Sequence, residues 1–376
     1  MMETEIRRVT THKELKKFIR FQLELYKENH YWCPPLIFDE LNNLDKHKNP
    51  AFEFCEAEYW LAYQGNKIVG RIVGIINHKA NERWNEKFVR FGWIDFIDDP
   101  EVSSKLIEKV SEWGRTMGMI GIQGPLGFTD MDYEGMLIEG FEDLSNMSTI
   151  YNYPYYPEHM VKLGFEKGVD WVQFAMNIPQ EIPEKVARSV AIVKEKYHLR
   201  TLQAKKAKDF LPYTKKMFRM QNDTFNELYG FAPINDKQIE LYTKQYFGFI
   251  QPQFVSIILD DKDDVIGFGV TLPDLTPALQ KCKGRLFPFG FIHIYKALKK
   301  NNSIHMYLIG VRPDYQGKGA LGLVYYELQK AYLKYGIIKA TTQPQLENNL
   351  KAISIWKNYD SRIYIRRRCW EKHFTL

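Results

Sequence analysis

Two hydrophobic rhythms alternate along the chain. At 13–30, KELKKFIRFQLELYKENH sets Leu15, Phe18, Ile19, Phe21, Leu23 and Leu25 on one broad face and predicts a helix near the start. After a proline-rich loop, Cys33-Pro34-Pro35, the apolar runs AEYWLAY and KIVGRIVGIIN flank Gln64-Gly65-Asn66 and predict a hairpin. Residues 89–97 predict another strand. Asp99-Pro100-Glu101 has the chemistry of a helix start: a carboxylate to cap free N–H groups, a proline at the first turn, then an acid. Val102, Leu106, Val110 and Trp113 follow at helical spacing. A short buried strand at 119–123, a helix over YYPEHMVKLGF ending at Gly164, and a strand at 170–179 complete this stretch.

The texture then changes to a charged helical segment at 180–196, after which the same order begins again. LRTLQ predicts a strand, and 209–229 and 236–247 predict helices. QFVSIILDD and DVIGFGVTLP predict a strand pair across the acidic turn 260–264. A strand at 303–311 leads into a glycine loop and a helix at 317–335; the strand IIKATTQ, a helix at 348–359 and the strand SRIYIRRRCWE end the chain. Each half thus reads strand, helices, hairpin, strand, long helix, strand, helix, strand, a repeat of order rather than of identity. The expectation is two α/β (α+β) domains, each a mixed sheet flanked by helices, joined near 180–196.

Composition narrows this without redirecting it. At 376 residues the chain exceeds one ordinary core, and 45% hydrophobic with 26% charged residues excludes disorder. Lys+Arg exceed Asp+Glu by 52 to 46; a net +6 admits an anionic ligand without making this a nucleic-acid protein. Cys33, Cys55, Cys282 and Cys369 lie too far apart for a zinc knuckle or redox motif and read as reduced thiols. The charged N-terminal segment predicts no signal peptide, and no apolar run approaches the ~18 residues that span a bilayer, so a soluble, cytoplasmic protein is expected.

The sharpest chemical signal is SIHMYLIGVRPDYQGKGALG at 303–322. A strand, a small-residue loop (Gln316, Gly317, Lys318, Gly319, Ala320) and a helix N-terminus together make an anion site. Small residues let a phosphate approach the backbone, and free N–H groups point at it. Lys318 adds positive charge. For a base, Glu347 is the first candidate, with Asp274 and His305 as rivals. Arg362, Arg366, Arg367 and Arg368 predict a basic strand with a solvated face. GPLGFTDMDYEG carries turn chemistry and two acids, Asp130 and Asp132, short of a complete calcium loop, and no metal is predicted.

These residues resemble the GCN5-related N-acetyltransferase (GNAT) superfamily. VRPDYQGKGALG is similar to its acyl-CoA pyrophosphate loop, Arg/Gln-x-x-Gly-x-Gly/Ala: Gln316 and Gly319 match, while Leu321 replaces a usual small residue. The resemblance implies that the main chain of Ile309, Gly310 and Val311 pairs with pantetheine while the loop holds the diphosphate of acetyl-CoA or another acyl-CoA. Asn349, Ala352, Ile355 and Trp356 follow the family's Asn-x-x-Ala-x-x-Leu-Tyr helix beside the pantetheine. Trp356 stands where the family often has an acid tyrosine; an indole cannot protonate a thiolate, and Tyr359, one turn on, is the substitute. NPAFEF, QGPLGFTDMDYEGMLIEGF and GRLFPFG resemble a group of tandem-GNAT bacterial proteins.

The first half departs from that pattern. Asp98-Asp99-Pro100-Glu101 stands where its loop should cradle a diphosphate, and three carboxylates repel phosphate. The resemblance implies a degenerate GNAT domain at 1–180, a linker at 181–195 and an acyl-CoA-binding domain at 196–376. The expected function is N-acyl transfer from acyl-CoA to a small-molecule amine or a peptide, by direct attack in a ternary complex. Alternatives are transfer from an acyl carrier protein or an aminoacyl-tRNA, or a non-catalytic acyl-CoA sensor.

Overall fold

The computed structural model describes residues 3–375. The first half runs β1 (Thr4–Arg8), α1 (His12–Leu25), α2 (Ile37–Asn43), β2 (Cys55–Gln64), β3 (Lys67–Asn77), α3 (His78–Trp84), β4 (Phe88–Phe96), α4 (Pro100–Thr116), β5 (Gly121–Gly124), β6 (Met136–Glu139), α5 (Tyr155–Lys162) and β7 (Glu166–Asn177). Helix α6 (Glu184–Lys196) connects it to the second. That half runs β8 (Arg200–Thr201), α7 (Leu211–Thr224), α8 (Asp236–Phe247), β9 (Val255–Leu259), β10 (Val265–Pro273), α9 (Thr276–Cys282), α10 (Gly290–Lys299), β11 (Ser303–Val311), α11 (Ala320–Tyr335), β12 (Lys339–Thr342), β13 (Gln345–Leu346), α12 (Leu350–Ile353) and β14 (Ser361–His373).

The two halves repeat each other: β1–β4, α4, β5, α5 and β7 recur as β8–β11, α11, β12, α12 and β14. In both, the strand before the long helix runs parallel to the strand after it: β4 with β5 and β11 with β12. The long helices pack alike. Val102, Leu106 and Val110 of α4 sit among Val69, Ile72 and Val89, and Leu323, Val324 and Leu328 of α11 among Ile258, Ile266 and Ala340. Each helix lies so close to its hairpin that a glycine is needed below it. A Cβ on Gly70 would meet Leu106 at 2.8 Å, and one on Gly269 would meet Leu328 at 2.8 Å.

The last strand of each half is exchanged. All the described strands form one 14-stranded sheet in the order β1-β2-β3-β4-β5-β14-β7-β12-β11-β10-β9-β8, with β6 on β14 and β13 on β7. β14 pairs with β5 of the first half, Trp370 opposite Gly124, whereas β7 pairs with β12 of the second, Lys339 opposite Asn177. At the centre β7 and β14 pair antiparallel, from Ser361 opposite Met176 to Glu371 opposite Glu166. A boundary drawn at 181–195 therefore divides the chain but not the sheet.

That central position overturns the solvated face expected for Arg366, Arg367 and Arg368, while Arg362 stays exposed. Arg367 is fully buried and donates from Nε to Gln173 Oε1 at 2.8 Å and from Nη1 to the Ile150 carbonyl. Arg368 forks onto Asp170 at 2.7 and 2.9 Å, and Arg362 reaches Asp143 at 2.6 Å. The helix expected at 348–359 is the single turn α12 and a 3-10 turn, Ser354–Asn358, with Trp356 buried and its Nε1 bonded to Gln345 at 2.9 Å. α9 and α10 were not legible, because Gly284, Pro288 and Gly290 between them read as loop.

Candidate active site

β11 and β12 pair only over Ser303–Met306 and Lys339–Thr342. Gln343 N still reaches Met306 O at 3.3 Å, and then the chain leaves to form β13, with Gln345 opposite Val172 of β7. Beyond Met306, β11 keeps β10 on one edge, while among the described strands none pairs with the other edge. Main-chain groups of Tyr307, Leu308, Ile309, Gly310 and Val311 thus border a cleft of about 1490 Å³. An open strand edge is a template for an extended ligand that carries amide groups.

The glycine loop closes one end. Gln316, Gly317, Gly319 and Leu321 line the cleft, as do Asn349 and Trp356 from the last helical turns. Gly317 and Gly319 have φ of +74° and +86°, a left-handed backbone that glycine adopts freely. α11 starts with no side-chain cap, so the N–H groups of its first turn remain available to an anion. The structure separates the two glycines. A Cβ on Gly319 would strike Val193 of α6 at 2.7 Å, whereas one on Gly317 meets nothing within 4 Å. Lys318 and Ala320 are not in the lining. The Lys318 ammonium sits over the rings of Tyr315 and Tyr197, at 5.2 and 5.7 Å, and Ala320 is buried under the loop.

The opposite wall comes from the first half. The loop after β5 brings Asp130, Asp132 and Glu134 into the same cleft. Asp132 Oδ2 accepts from Thr129 N at 2.9 Å, and Thr129 Oγ1 meets Tyr242 OH of α8 at 2.7 Å, which ties this loop to the second half. Burial pushes Asp130 up to about 7 and Asp132 up to about 6. Burial, with repulsion from Asp130 added, holds Glu134 well above the usual carboxylate range. Arg90 opposes the rise in all three; its guanidinium donates to the carbonyls of Gly127 and Gly230 at 3.2 and 3.0 Å. A carboxyl group that ionises near neutrality, as Asp130 and Asp132 do, can in its ionised form bind an ammonium and accept its proton. The sequence signal was the run Asp130-Met-Asp132-Tyr-Glu134, of which Asp130 and Asp132 read only as part of an incomplete calcium loop.

Other expected residues lie elsewhere. Glu347 is outside the lining, and its carboxylate is held by Arg366 at 2.7 Å and by Lys167. Tyr359 packs on Trp356, centroids 6.0 Å apart, in the core beside α11 rather than in the cleft. His305 and Asp274 bond to each other at 3.1 Å, and His305 also to Thr341; both are outside the lining. Tyr325 of α11 does line the cleft, edge-on to Trp356 at 5.7 Å, and burial raises its hydroxyl pKa.

In the first half the corresponding opening is filled by side chains. Tyr156 OH accepts from Phe96 N at 2.9 Å, Tyr155 OH donates to Phe96 O at 2.6 Å, and the Tyr156 ring stacks on Phe96 at 4.1 Å. Behind them Tyr26 OH donates to Asp95, which is paired with Arg71 at 2.7 Å. Asp99 caps α4 by accepting from Glu101 N at 2.9 Å, and takes a second bond from Gln64 at 2.8 Å. Asp98, its neighbour in that acidic run, turns to His159 Nε2 at 3.0 Å.

The arrangement is the fold of GCN5-related N-acetyltransferases in tandem. A tandem GNAT protein from the clavulanic acid biosynthesis pathway superposes with a TM-score of 0.58 at 12% identity, covering 99% of this chain and 98% of that one. A GCN5-related N-acetyltransferase from Sphaerobacter thermophilus gives 0.51 at 10% identity, covering 98% and 95%. In sequence, the chain is 26% identical over 374 residues to protein YghO of Escherichia coli (strain K12), covering 98% of this chain and 95% of that protein. It is 25% identical over 374 residues to the bacterial ceramide synthase of Caulobacter vibrioides (strain NA1000 / CB15N), covering 97% and 96%. No protein-family profile matches the chain.

Proposed function

We propose that the protein is an acyl-CoA-dependent N-acyltransferase acting on a long-chain amine. The observation that carries this reading is the open edge of β11, with the uncapped start of α11 at one end and three carboxylates of the other half across from it. Pantetheine amides pair with Tyr307–Val311 as an added strand, and the diphosphate takes the N–H groups of Gly317–Leu321. The thioester then lies near Met306 and Thr342, where the strands part.

Asp130, once ionised, holds the acceptor ammonium beside the neutral carboxyl of Glu134 and takes its proton. The freed nitrogen attacks the thioester carbonyl, the C–N bond forms as the C–S bond breaks, the sulfur leaves as thiolate, and the proton the nitrogen sheds in becoming an amide replaces the one Tyr325 gives up. Tyr325, kept protonated by burial, supplies the proton to that sulfur in place of Tyr359. Catalysis comes mainly from holding the two reactants in line.

Support for a long-chain acceptor comes from the bacterial ceramide synthase, since a ceramide is the N-acyl amide of a long-chain amino alcohol. The cleft is larger than the ~300–1,000 Å³ usual for small ligands. It shares Tyr307 and Leu308 with an apolar pocket of about 80 Å³ walled by Phe210, Met217, Phe218 and Phe247, which has room for only a short stretch of an alkyl chain. The test is incubation with acetyl- or palmitoyl-CoA and a long-chain amino alcohol, with amide read by mass spectrometry and free thiol by absorbance. Thiol release in step with amide is expected. No CoA binding by calorimetry, or binding with no amide from any long-chain amine, sinks the proposal.

A further inference from the structure

Residues 281–300, KCKGRLFPFGFIHIYKALKK, form the turn into α10 and the helix itself, away from the cleft lining. Leu286, Ile294, Ala297 and Leu298 face inward and pack on Leu275 and Leu279. With that face satisfied, the other side still presents Phe287, Phe289, Phe291, Ile292 and Tyr295, which are 80, 70, 47, 37 and 60% exposed. Five large apolar side chains within nine residues, on one turn and helix face, are more than solubility or packing requires.

The charge around them identifies what covers them. Lys281, Lys283, Arg285, Lys296, Lys299 and Lys300 flank the aromatic residues, and the segment contains no acid. All six are exposed, and none is in an ion pair with a described residue. A second copy of the chain, docked face to face, would press like charges together. Protein interfaces are also depleted of lysine at such patches. Aromatic residues ringed by lysine and arginine match instead the boundary between headgroups and acyl chains. The base is firm: Ile37 N donates to Gly284 O at 3.0 Å, and Gln280 Nε2 donates to the carbonyls of His30 and Trp32 at 2.8 and 2.9 Å. No described helix is long and apolar enough to cross a membrane, so contact through this face is contact from one side.

We propose that the face formed by residues 281–300 docks the protein on membranes that contain anionic lipid, with Phe287, Phe289, Phe291 and Tyr295 inserted and the lysines on the headgroup phosphates. The proposal stands whether or not the cleft transfers acyl groups. It is tested with the full chain by flotation with vesicles of phosphatidylcholine, alone or mixed with phosphatidylglycerol, without acyl-CoA or amine.

Binding to the mixed vesicles at least about tenfold above that to phosphatidylcholine alone, and weakened by high salt, is expected. Phe287→Ser with Phe289→Ser, and separately Lys296→Glu with Lys299→Glu and Lys300→Glu, should each lower it about tenfold while the circular dichroism spectrum stays unchanged. No flotation of the parent chain overturns the proposal, as does equal flotation of both variants or no preference for anionic lipid. Self-association that the serine variant abolishes, with no vesicle binding, also overturns it and assigns the face to a second copy.

Discussion

Asp130 shows how one side chain links stability to chemistry. Its folded pKa of about 7 lies above the usual carboxylate value, so the stabilisation is fully present below the unfolded pKa near 4 and is lost as pH rises through 7. The ligand-free protein should therefore melt at lower temperature at pH 8 than at pH 5, and Asp130→Asn should flatten that dependence; thermal scans across the range measure it. The same ionisation supplies the base. Activity should rise between pH 6 and 8, and Asp130→Asn should lower kcat by about 10²–10⁴. Retention of full rate in that variant would move the base elsewhere. At the glycine loop, Gly317→Asp puts a carboxylate into open space beside the diphosphate site. It should abolish CoA binding in calorimetry while leaving the melting temperature within a few degrees. Gly319→Ala meets Val193 and a φ of +86°, and should cost at least ~1–2 kcal/mol of stability. The phosphate loop was legible because its chemistry is local: strand, small residues and helix are consecutive. The acids were not, because Asp130 and Glu134 gain their meaning from β11, some 175 residues further along the chain.

At the scale of elements, α4 and α11 are the same helix put to different ends. One starts under Asp99 and the other starts bare, and that difference in capping was readable from Asp99-Pro100-Glu101 alone. Asp99→Ala should destabilise the protein by about 1 kcal/mol in denaturant titration and leave CoA affinity unchanged. A drop in affinity would mean that the first half binds cofactor. The closure behind α4 was hidden, since it depends on Tyr155 and Tyr156 meeting Phe96 across the sheet. Tyr156→Phe should leave Phe96 N without its acceptor and cost about 1–3 kcal/mol. Strands and long helices were legible from periodicity, which is a property of neighbours along the chain. α10 was not, because Gly284, Pro288 and Gly290 ahead of it read as loop and its outer face is apolar where a soluble helix would be polar.

The whole molecule is defined by its exchanged strands, which no local pattern announces: SRIYIRRRCWE reads as an ordinary last strand, and its partners are chosen by the sheet. Because β14 completes the first half and β7 the second, neither half should fold alone. Fragments 1–195 and 196–376 should each lack cooperative melting, the mixture should recover it, and the intact chain should show one calorimetric transition. Two separated transitions would contradict this. Exchange also sets a timetable for the cell. β7 is made roughly 180 residues before β14, and at about 5–20 residues per second the ribosome needs about 10–40 s to bridge the gap. Throughout that interval β5 and β7 stand with unpaired edges, open to wrong pairings until β14 is made.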